Sequence, residues 1–177
     1  MIYDIVVYPD KRLKQVSEAV EAFDETLHTL LDDMYETMIA KNGVGLAAIQ
    51  IGVAKRVLIV NVPIESDEEN IDLQPKENTL EIINPVITYR SEERAKFQEG
   101  CLSVPGFYED VERYAMVTIA YQDRYGEQFV IEDDAFLAVA LQHEIDHLDG
   151  KLFIEKLSYT KRKKFEKEWK KREKSQQ

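Results

Sequence analysis

The chain has 177 residues, a length that suits one domain built around a single hydrophobic core. It contains no apolar run of about 18 residues, and its first residues lack the basic and apolar stretches of a secretory signal. Cys101 is the one cysteine, which excludes an internal disulfide. We therefore expect a protein of a reducing, cytoplasmic compartment that makes no contact with membranes.

The net charge of −11 is unevenly distributed along the chain. Residues 161–177 hold nine Lys and Arg against three Glu, a net charge of +6, whereas residues 1–160 carry −17. An acidic body of this kind argues against binding to DNA. The pattern predicts one folded domain over residues 1–160, followed by a basic helical tail over residues 161–177.

The first half of the chain predicts one helix and one buried strand. Apolar residues recur at helical spacing over residues 24–41, and Asp24 can cap the first turn. His28 lies beside this apolar stripe, so we expect it to face solvent or the edge of the core rather than a metal. A glycine-rich segment follows, and the apolar run within residues 56–62 predicts a strand.

The middle of the chain predicts an exposed loop and three further strands. Residues 64–79 are acidic and lack periodicity, which is typical of a loop. Residues 81–90 predict a strand that either bends near Pro85 or lies at the edge of a sheet because of it. Residues 114–121 and 128–131 predict a hairpin around a turn at residues 123–126.

Two helices are predicted in the last third of the chain. One begins at Asp133 or Asp134, ends at Asp149 and is followed by Gly150, a residue typical of helix C-termini. It is apolar nearly all round, so it should be buried. A terminal helix covers residues 160–174. The order of elements predicts an α+β fold, with antiparallel or mixed sheets around a central buried helix and with an N-terminal and a C-terminal helix.

The central helix contains the pattern His143-Glu144-x-x-His147. Side chains at positions i and i+4 leave a helix on the same face, so the two imidazoles can bind one divalent metal. Glu144 can then reach a water on that metal and move its proton. The pattern therefore predicts a metal-dependent hydrolase with a metal-binding central helix.

A catalytic site of this type needs a third protein ligand and keeps one position for water. Phe153 occupies the position of the third ligand in metzincin proteases, which excludes that family. Glu166 and Glu168 lie at the distance expected in thermolysin-like proteases, but a basic tail favours a solvated helix face for them. Cys101 is the remaining soft ligand.

Three segments together resemble motifs of the peptide deformylase family. Residues 43–50 (GVGLAAIQ) resemble its G-x-G-x-A-A-x-Q motif, and residues 99–103 (EGCLS) resemble its E-G-C-L-S motif. Residues 142–150 (QHEIDHLDG) resemble its Q-H-E-x-D-H-L-x-G motif. Their order and separations also fit, and the resemblance covers residues 5–154. The loop at 64–79 is longer than expected for a compact bacterial member, but it lies outside the motifs.

The resemblance implies an enzyme that removes the N-formyl group from the initiator methionine of nascent polypeptides. It implies that Glu144 is the catalytic acid and base, and that the metal is bound by Cys101, His143 and His147. It also implies that the backbone amide of Leu102 and the side-chain amide of Gln50 stabilise the oxyanion. Residues 1–160 would then form a single catalytic domain.

The resemblance also implies where the substrate binds. Glu99 would lie beside the site and pair with Arg113, although two solvated surface charges fit the sequence nearly as well. Gly43 and Gly45 would let the peptide backbone approach the sheet closely. The methionine side chain would be enclosed by Val44, Phe136, Val139, Ala140 and the ring of His143.

The sequence leaves the metal and the role of the tail open. A Cys-His₂ set suits Zn²⁺, Fe²⁺, Co²⁺ and Ni²⁺, and the resemblance implies Fe²⁺ in the cell. The resemblance also suggests that the basic tail contacts the ribosome, against the simpler interpretation of a solvated helix. Two other functions stay open. One is a zinc endopeptidase that uses Glu166 or Glu168, and the other is non-enzymatic: a structural metal domain with four protein ligands, or an inactive relative that acts as a binding module.

Overall fold

The computed structural model describes residues 1–176, and within them it contains three α-helices and seven strands. The helices are α1 (Glu25–Ala40), α2 (Phe136–Leu148) and α3 (Tyr159–Ser175). The strands are β1 (Gly45–Ala47), β2 (Val57–Val60), β3 (Leu80–Arg90), β4 (Arg94–Cys101), β5 (Val104–Tyr114), β6 (Val117–Gln122) and β7 (Gln128–Asp133). Short 3₁₀ turns cover Lys11–Lys14, Ala48–Ile51, Lys76–Asn78 and Phe153–Lys156. The α+β prediction is confirmed.

The strands form two antiparallel sheets. The larger sheet has five strands in the order β1-β2-β3-β6-β7, and the smaller sheet is the β4–β5 hairpin. The register of β3 against β6 shifts between Ile83 and Val86, where Asn84 adopts a φ of 52° and Pro85 follows. The predicted bend near Pro85 is therefore confirmed.

The larger sheet lies between the helices α1 and α2. Successive side chains of a strand point to opposite faces, and β2 is buried on both. Leu58 and Val60 pack into one cluster with α2, whereas Val57 and Ile59 pack into another with α1. This two-sided burial explains why β2 reads as a continuous apolar run, and it places α2 in the centre of the molecule.

The terminal helix α3 packs against a third cluster. Its Phe165 is buried among Phe107, Phe153 and Tyr8, and Trp169 packs at the edge of the same group. These two residues are the apolar anchors that the sequence offers. Ser158 caps the start of the helix, because its hydroxyl accepts a hydrogen bond from the amide of Lys161.

Several predicted boundaries are wrong. The helix α2 begins at Phe136 because Asp133 ends β7, from where its carboxylate accepts hydrogen bonds from the amides of Ala135 and Ala138. Tyr114 belongs to β5, so the predicted hairpin begins at Val117. The β4–β5 hairpin is absent from the sequence-based prediction, because the charged residues Glu99 and Arg113 occupy buried positions and interrupt the apolar alternation.

The Asp24 cap and the exposed loop are confirmed. The carboxylate of Asp24 accepts a hydrogen bond from the amide of Leu27 at 3.2 Å. Residues 62–73 are exposed throughout. The part of the chain that the structure describes has no helix of the length and apolarity needed to cross a membrane.

Truncating a buried side chain of α1 should destabilise the fold measurably. Leu31 is fully buried, and Leu31→Ala should lower the free energy of unfolding by about 3 kcal/mol through lost burial and the cavity left behind. Leu73→Ala is the matched control, because Leu73 is 39% exposed. Urea denaturation measures both, and an equal loss in the two variants would contradict the assignment of α1 to the core.

Candidate active site

The helix α2 carries both histidines of the sequence pattern on one buried face. His147 is fully buried and His143 is 8% exposed, and their ring centroids lie 5.1 Å apart. A residue spacing of four brings the two side chains one above the other on a helix. The packing of α2 against the five-stranded sheet fixes this face towards the smaller sheet.

Cys101 reaches the histidines from the last position of β4. Its Sγ lies 3.4 Å from Nε2 of His147. The Sγ of Cys101 and one ring nitrogen of each histidine all lie within 4.8 Å of one another. One thiolate and two imidazoles are donors that suit a divalent transition metal, so the three residues fit the metal that the motif implies.

A buried ion network holds the two sides of this group together. The guanidinium of Arg113 on β5 donates to both carboxylate oxygens of Glu99 on β4, at 2.6 and 2.9 Å. It also donates to Asp146 on α2 at 2.9 Å. Glu99 in turn lies 2.8 Å from Nδ1 of His143. Because Arg113 and Glu99 are only 4% and 6% exposed, the alternative of two solvated surface charges is wrong.

The network fixes the position of the proton on the ring of His143. Burial would raise the pKa of Glu99, but hydrogen bonds from His143 and Arg113 lower it below its usual range, so the carboxylate stays ionised. It then accepts a hydrogen bond from the Nδ1–H of His143, which leaves Nε2 as the ring atom available to a metal.

The two imidazoles have shifted pKa values of opposite sign. Burial lowers the pKa of His147 well below the usual value, which keeps the ring neutral, as a metal ligand must be. Burial also opposes the charge on His143, but its hydrogen bonds to Cys101 and Glu99 raise its pKa overall. Metal binding at this site should therefore release a proton.

Glu144 points into the same space with one carboxylate oxygen free. Among the described residues, its Oε2 has no hydrogen-bond partner, although the side chain is buried. Burial raises the pKa of Glu144 to about 7. Gly45 makes room for the carboxylate, because a Cβ at that position would lie 3.1 Å from its Oε1. A buried carboxyl with this pKa can exchange protons near neutral pH.

The side chain of Gln50 is held next to Cys101 by hydrogen bonds. Its side-chain nitrogen lies 3.5 Å from Sγ of Cys101 and donates to Oγ of Ser103 at 3.1 Å. Its side-chain oxygen accepts from the amide of Ala47 at 2.9 Å. The amide is therefore fixed in orientation beside the group of metal-binding side chains, and Leu102 follows Cys101 in the same turn.

A cleft of about 380 Å³ opens over these residues. The structure brings together in its lining every residue predicted for catalysis or substrate binding, together with two of the three predicted metal ligands: Gly43, Val44, Gly45, Gln50, Glu99, Cys101, Leu102, Phe136, Val139, Ala140, His143 and Glu144. The third predicted ligand, His147, is fully buried.

The sequence analysis missed other residues that line the cleft. They are Asn42, Gln98, Gly100, Pro105, Gly106 and Tyr108. Gly100 lies within the second motif and the others lie near the first two motifs in the chain, but nothing in their chemistry marks them as functional. Tyr108 lies against Gly100 so closely that a Cβ at Gly100 would collide with its ring, which explains the glycine.

The other candidate ligands lie outside the site. Within residues 1–176, Cys101, His143 and His147 are the one group of three side chains that could hold a metal. Glu166 is paired with Lys163 and Arg162 on the solvent side of α3. His28 contacts the backbone oxygen of Arg124 at 2.9 Å and lies at the edge of the core, as predicted.

The family model for polypeptide deformylase matches residues 2–163 of the chain. The chain belongs to the polypeptide deformylase family. It is 57% identical to the peptide deformylase of Campylobacter jejuni over 99% of this chain and 97% of that protein. It is 60% identical to the peptide deformylase of Wolinella succinogenes over 97% of each.

Solved structures of deformylases share the fold. A peptide deformylase from Legionella pneumophila is 41% identical and superposes with a TM-score of 0.87, covering 99% of this chain and 98% of that one. The peptide deformylase of Ehrlichia chaffeensis in complex with actinonin is 44% identical with a TM-score of 0.84, covering 97% and 98%. The family is metal-dependent, and the alternative of a zinc endopeptidase is not supported.

Removing Arg113 should destabilise this deformylase more than removing an exposed arginine. Arg113→Met leaves Glu99 buried without its partner, so the free energy of unfolding at pH 7 should fall by about 3 kcal/mol or more. Arg162→Met is the matched control, because Arg162 lies on the exposed side of α3. Chemical denaturation measures both variants, and equal small losses would contradict the proposed importance of the network.

Proposed function

We propose that the cleft removes the N-formyl group from the initiator methionine of nascent polypeptides, which releases formate and a free amino terminus. The observation that carries this proposal is the convergence of three separate motifs on one cleft, with a Cys-His₂ group at its base. Because formylated chains arise at ribosomes, this activity assigns the protein to the cytoplasm. Residues 1–160 form the catalytic domain in this proposal.

Cys101, His143 and His147 are the ligands of one divalent ion in this proposal. Fe²⁺ is the ion expected in the cell, and the same donors accept Zn²⁺, Ni²⁺ and Co²⁺. When bound, such an ion lowers the pKa of a water towards about 7 and polarises the formyl carbonyl. Since Cys101 binds as a thiolate, the iron form should be sensitive to oxidation.

Glu144 moves the protons of the reaction. Its pKa of about 7 allows the carboxylate to take a proton from the attacking water and to return one to the leaving amine. The oxyanion that develops on the formyl oxygen needs donors, and the side-chain amide of Gln50 and the backbone N–H of Leu102 fill this role. Each such donor contributes about 3 kcal/mol to lowering the barrier.

The substrate is held by apolar side chains and by backbone. Phe136, Val139 and Ala140 lie one to two turns before His143 on α2, and with Val44 they form the pocket for the methionine side chain. In this proposal the peptide backbone lies beside β1 at Gly43 and Gly45. A Cβ at Gly43 would contact the side chain of Leu102, and one at Gly45 would contact that of Glu144, so both glycines keep these site residues in place. Glu99 acts on this site through His143.

Two substitutions separate metal binding from proton transfer. Glu144→Gln should keep full metal content and lower kcat for formate release by about 10²- to 10⁴-fold, because only the proton carrier is lost. Cys101→Ser should lose metal affinity and activity together. The assay is formate release from formyl-Met-Ala-Ser by anaerobic, Fe²⁺-loaded protein, with metal analysis of the same samples and the acetylated peptide as control.

Three results would contradict the assignment. Near-full metal content and activity in Cys101→Ser would exclude the thiol as a ligand. Unchanged formate release by Glu144→Gln would remove its catalytic role. Cleavage of internal amides without release of formate by the wild-type protein would favour an endopeptidase instead.

We also propose that the basic tail, residues 161–177, binds the ribosome. Its last residue, Gln177, lies outside the described residues. Deleting the tail would be a poor test, because Phe165 is part of the core. Charge reversal on the exposed side is better, and α3 offers three exposed lysines at helical spacing: Lys164, Lys167 and Lys171.

Reversing these three charges should weaken binding to ribosomes and reduce its dependence on salt, because fewer phosphates are neutralised. The matched control reverses three exposed lysines elsewhere: Lys11, Lys14 and Lys96. Co-sedimentation with ribosomes at several salt concentrations measures the difference. Equal affinity of the two triple variants would favour a solvated helix over a ribosome contact.

A further inference from the structure

One side chain of the loop at residues 64–79, that of Gln74, contacts a segment that lines the active-site cleft. Residues 62–73 are exposed, but Gln74 and Pro75 are partly buried. The side-chain nitrogen of Gln74 donates to the backbone oxygen of Gly43 at 3.0 Å and to that of Asn61 at 2.8 Å. Both hydrogens of the amide therefore serve backbone carbonyls, one of them in the segment that lines the cleft.

Gln74 is itself held in place from several directions. Its backbone N–H donates to the carboxylate of Asp72 at 2.9 Å, and its backbone carbonyl oxygen accepts from the hydroxyl of Tyr35 at 2.7 Å. Asn61, which is fully buried, donates from its side chain to the backbone oxygen of Pro75 at 2.9 Å. The loop is thus joined to α1 and to the end of β2 at the residue that reaches Gly43.

The segment that Gln74 contacts is otherwise held by backbone hydrogen bonds, one of which runs from the amide of Gly43 to the carbonyl of Met38 on α1 at 2.9 Å. Asn61 donates its amide to the carbonyl of Val44 at 2.8 Å, and Gly45 pairs with Val60 at the edge of the sheet. The strand β1 has only three residues and no further strand beyond it. A short edge strand depends on contacts at its ends for a fixed position.

We propose that Gln74 is a positioning residue for substrate binding, which holds the Gly43–Gly45 segment where the peptide backbone of the substrate lies beside β1. The proposal rests on the function proposed above and adds a role for the loop at residues 64–79. Gln74 does not touch the reacting atoms. Its loss should therefore weaken substrate binding rather than chemistry, raising KM while kcat is retained.

Two variants and one control test the proposal. Gln74→Glu keeps the shape of the side chain but replaces its donor nitrogen with a carboxylate oxygen, which is repelled by the backbone oxygens of Gly43 and Asn61. Gln74→Met keeps the length of the side chain but removes both hydrogen bonds. Gln128→Glu, on the exposed edge strand β7, is the matched control. KM for formyl-Met-Ala-Ser should rise at least about fivefold in both Gln74 variants, the factor expected for a lost buried hydrogen bond. It should not change in the control.

Hydrogen exchange supplies a readout that does not need activity. Amides of residues 42–47 should exchange at least about fivefold faster in Gln74→Met than in the wild type, because the segment opens more readily. A side chain that only anchors the loop would instead speed exchange of residues 64–79 and lower the melting temperature, with KM and residues 42–47 unchanged. That result would overturn the proposal.

The failure of this proposal differs from failure of the proposed function. If the wild-type protein releases no formate, the deformylase assignment fails, and the exchange rates of residues 42–47 still decide whether Gln74 holds the segment. If the wild-type protein is active and both Gln74 variants keep its KM, the positioning role fails alone.

Discussion

The active site depends on the buried guanidinium of Arg113. This side chain joins Glu99 on β4 to Asp146 on α2, and Glu99 in turn orients His143. Cys101 lies two residues after Glu99 on β4. The contact between Glu99 and His143 therefore orients the imidazole and also holds the thiol of Cys101 close to it. A buried ion pair is costly to desolvate and is often replaceable by apolar residues without loss of stability. We therefore attribute to the intact network a role in geometry, whereas removal of Arg113 alone destabilises the fold because it leaves Glu99 buried without its partner.

The two sheets position different parts of the active site. The larger sheet supports α2 on one face and α1 on the other, which makes the histidine helix rigid. The smaller sheet brings the cysteine and the residues of the following turn. The two ligand-bearing parts have separate apolar clusters, and polar contacts around Arg113, His143 and Gln50 join them at the cleft. The site therefore forms only where the two parts meet.

The features that depend on residues close together in the chain could be predicted from the sequence. The helical spacing of His143 and His147, the burial of α2 and the Asp24 cap follow from periodicity and capping chemistry, and all are confirmed. The third ligand does not follow from spacing, because Cys101 is far from the histidines in the chain. Its choice over Glu166 needed the resemblance to a family, and the structure supplies the proximity.

Long-range contacts explain the remaining failures. The β4–β5 hairpin buries the charged side chains of Glu99 and Arg113, so its apolar alternation is weak in the sequence. The start of α2 was misplaced because an aspartate that looks like a helix cap ends a strand and caps from there. Gln74 stands in an acidic loop without periodicity, and Arg172 of α3 donates to the backbone oxygens of Pro105 and Gly106 at the cleft. Neither contact leaves a pattern in the sequence.

Anomalous diffraction from crystals grown with one divalent metal tests the central claim most directly. The account predicts one ion per chain bonded to Sγ of Cys101 at about 2.3 Å and to a ring nitrogen of His143 and of His147 at about 2.1 Å, with no other protein ligand. An ion that excludes the sulfur, or one that takes a carboxylate from α3 or a fourth protein ligand, would contradict it.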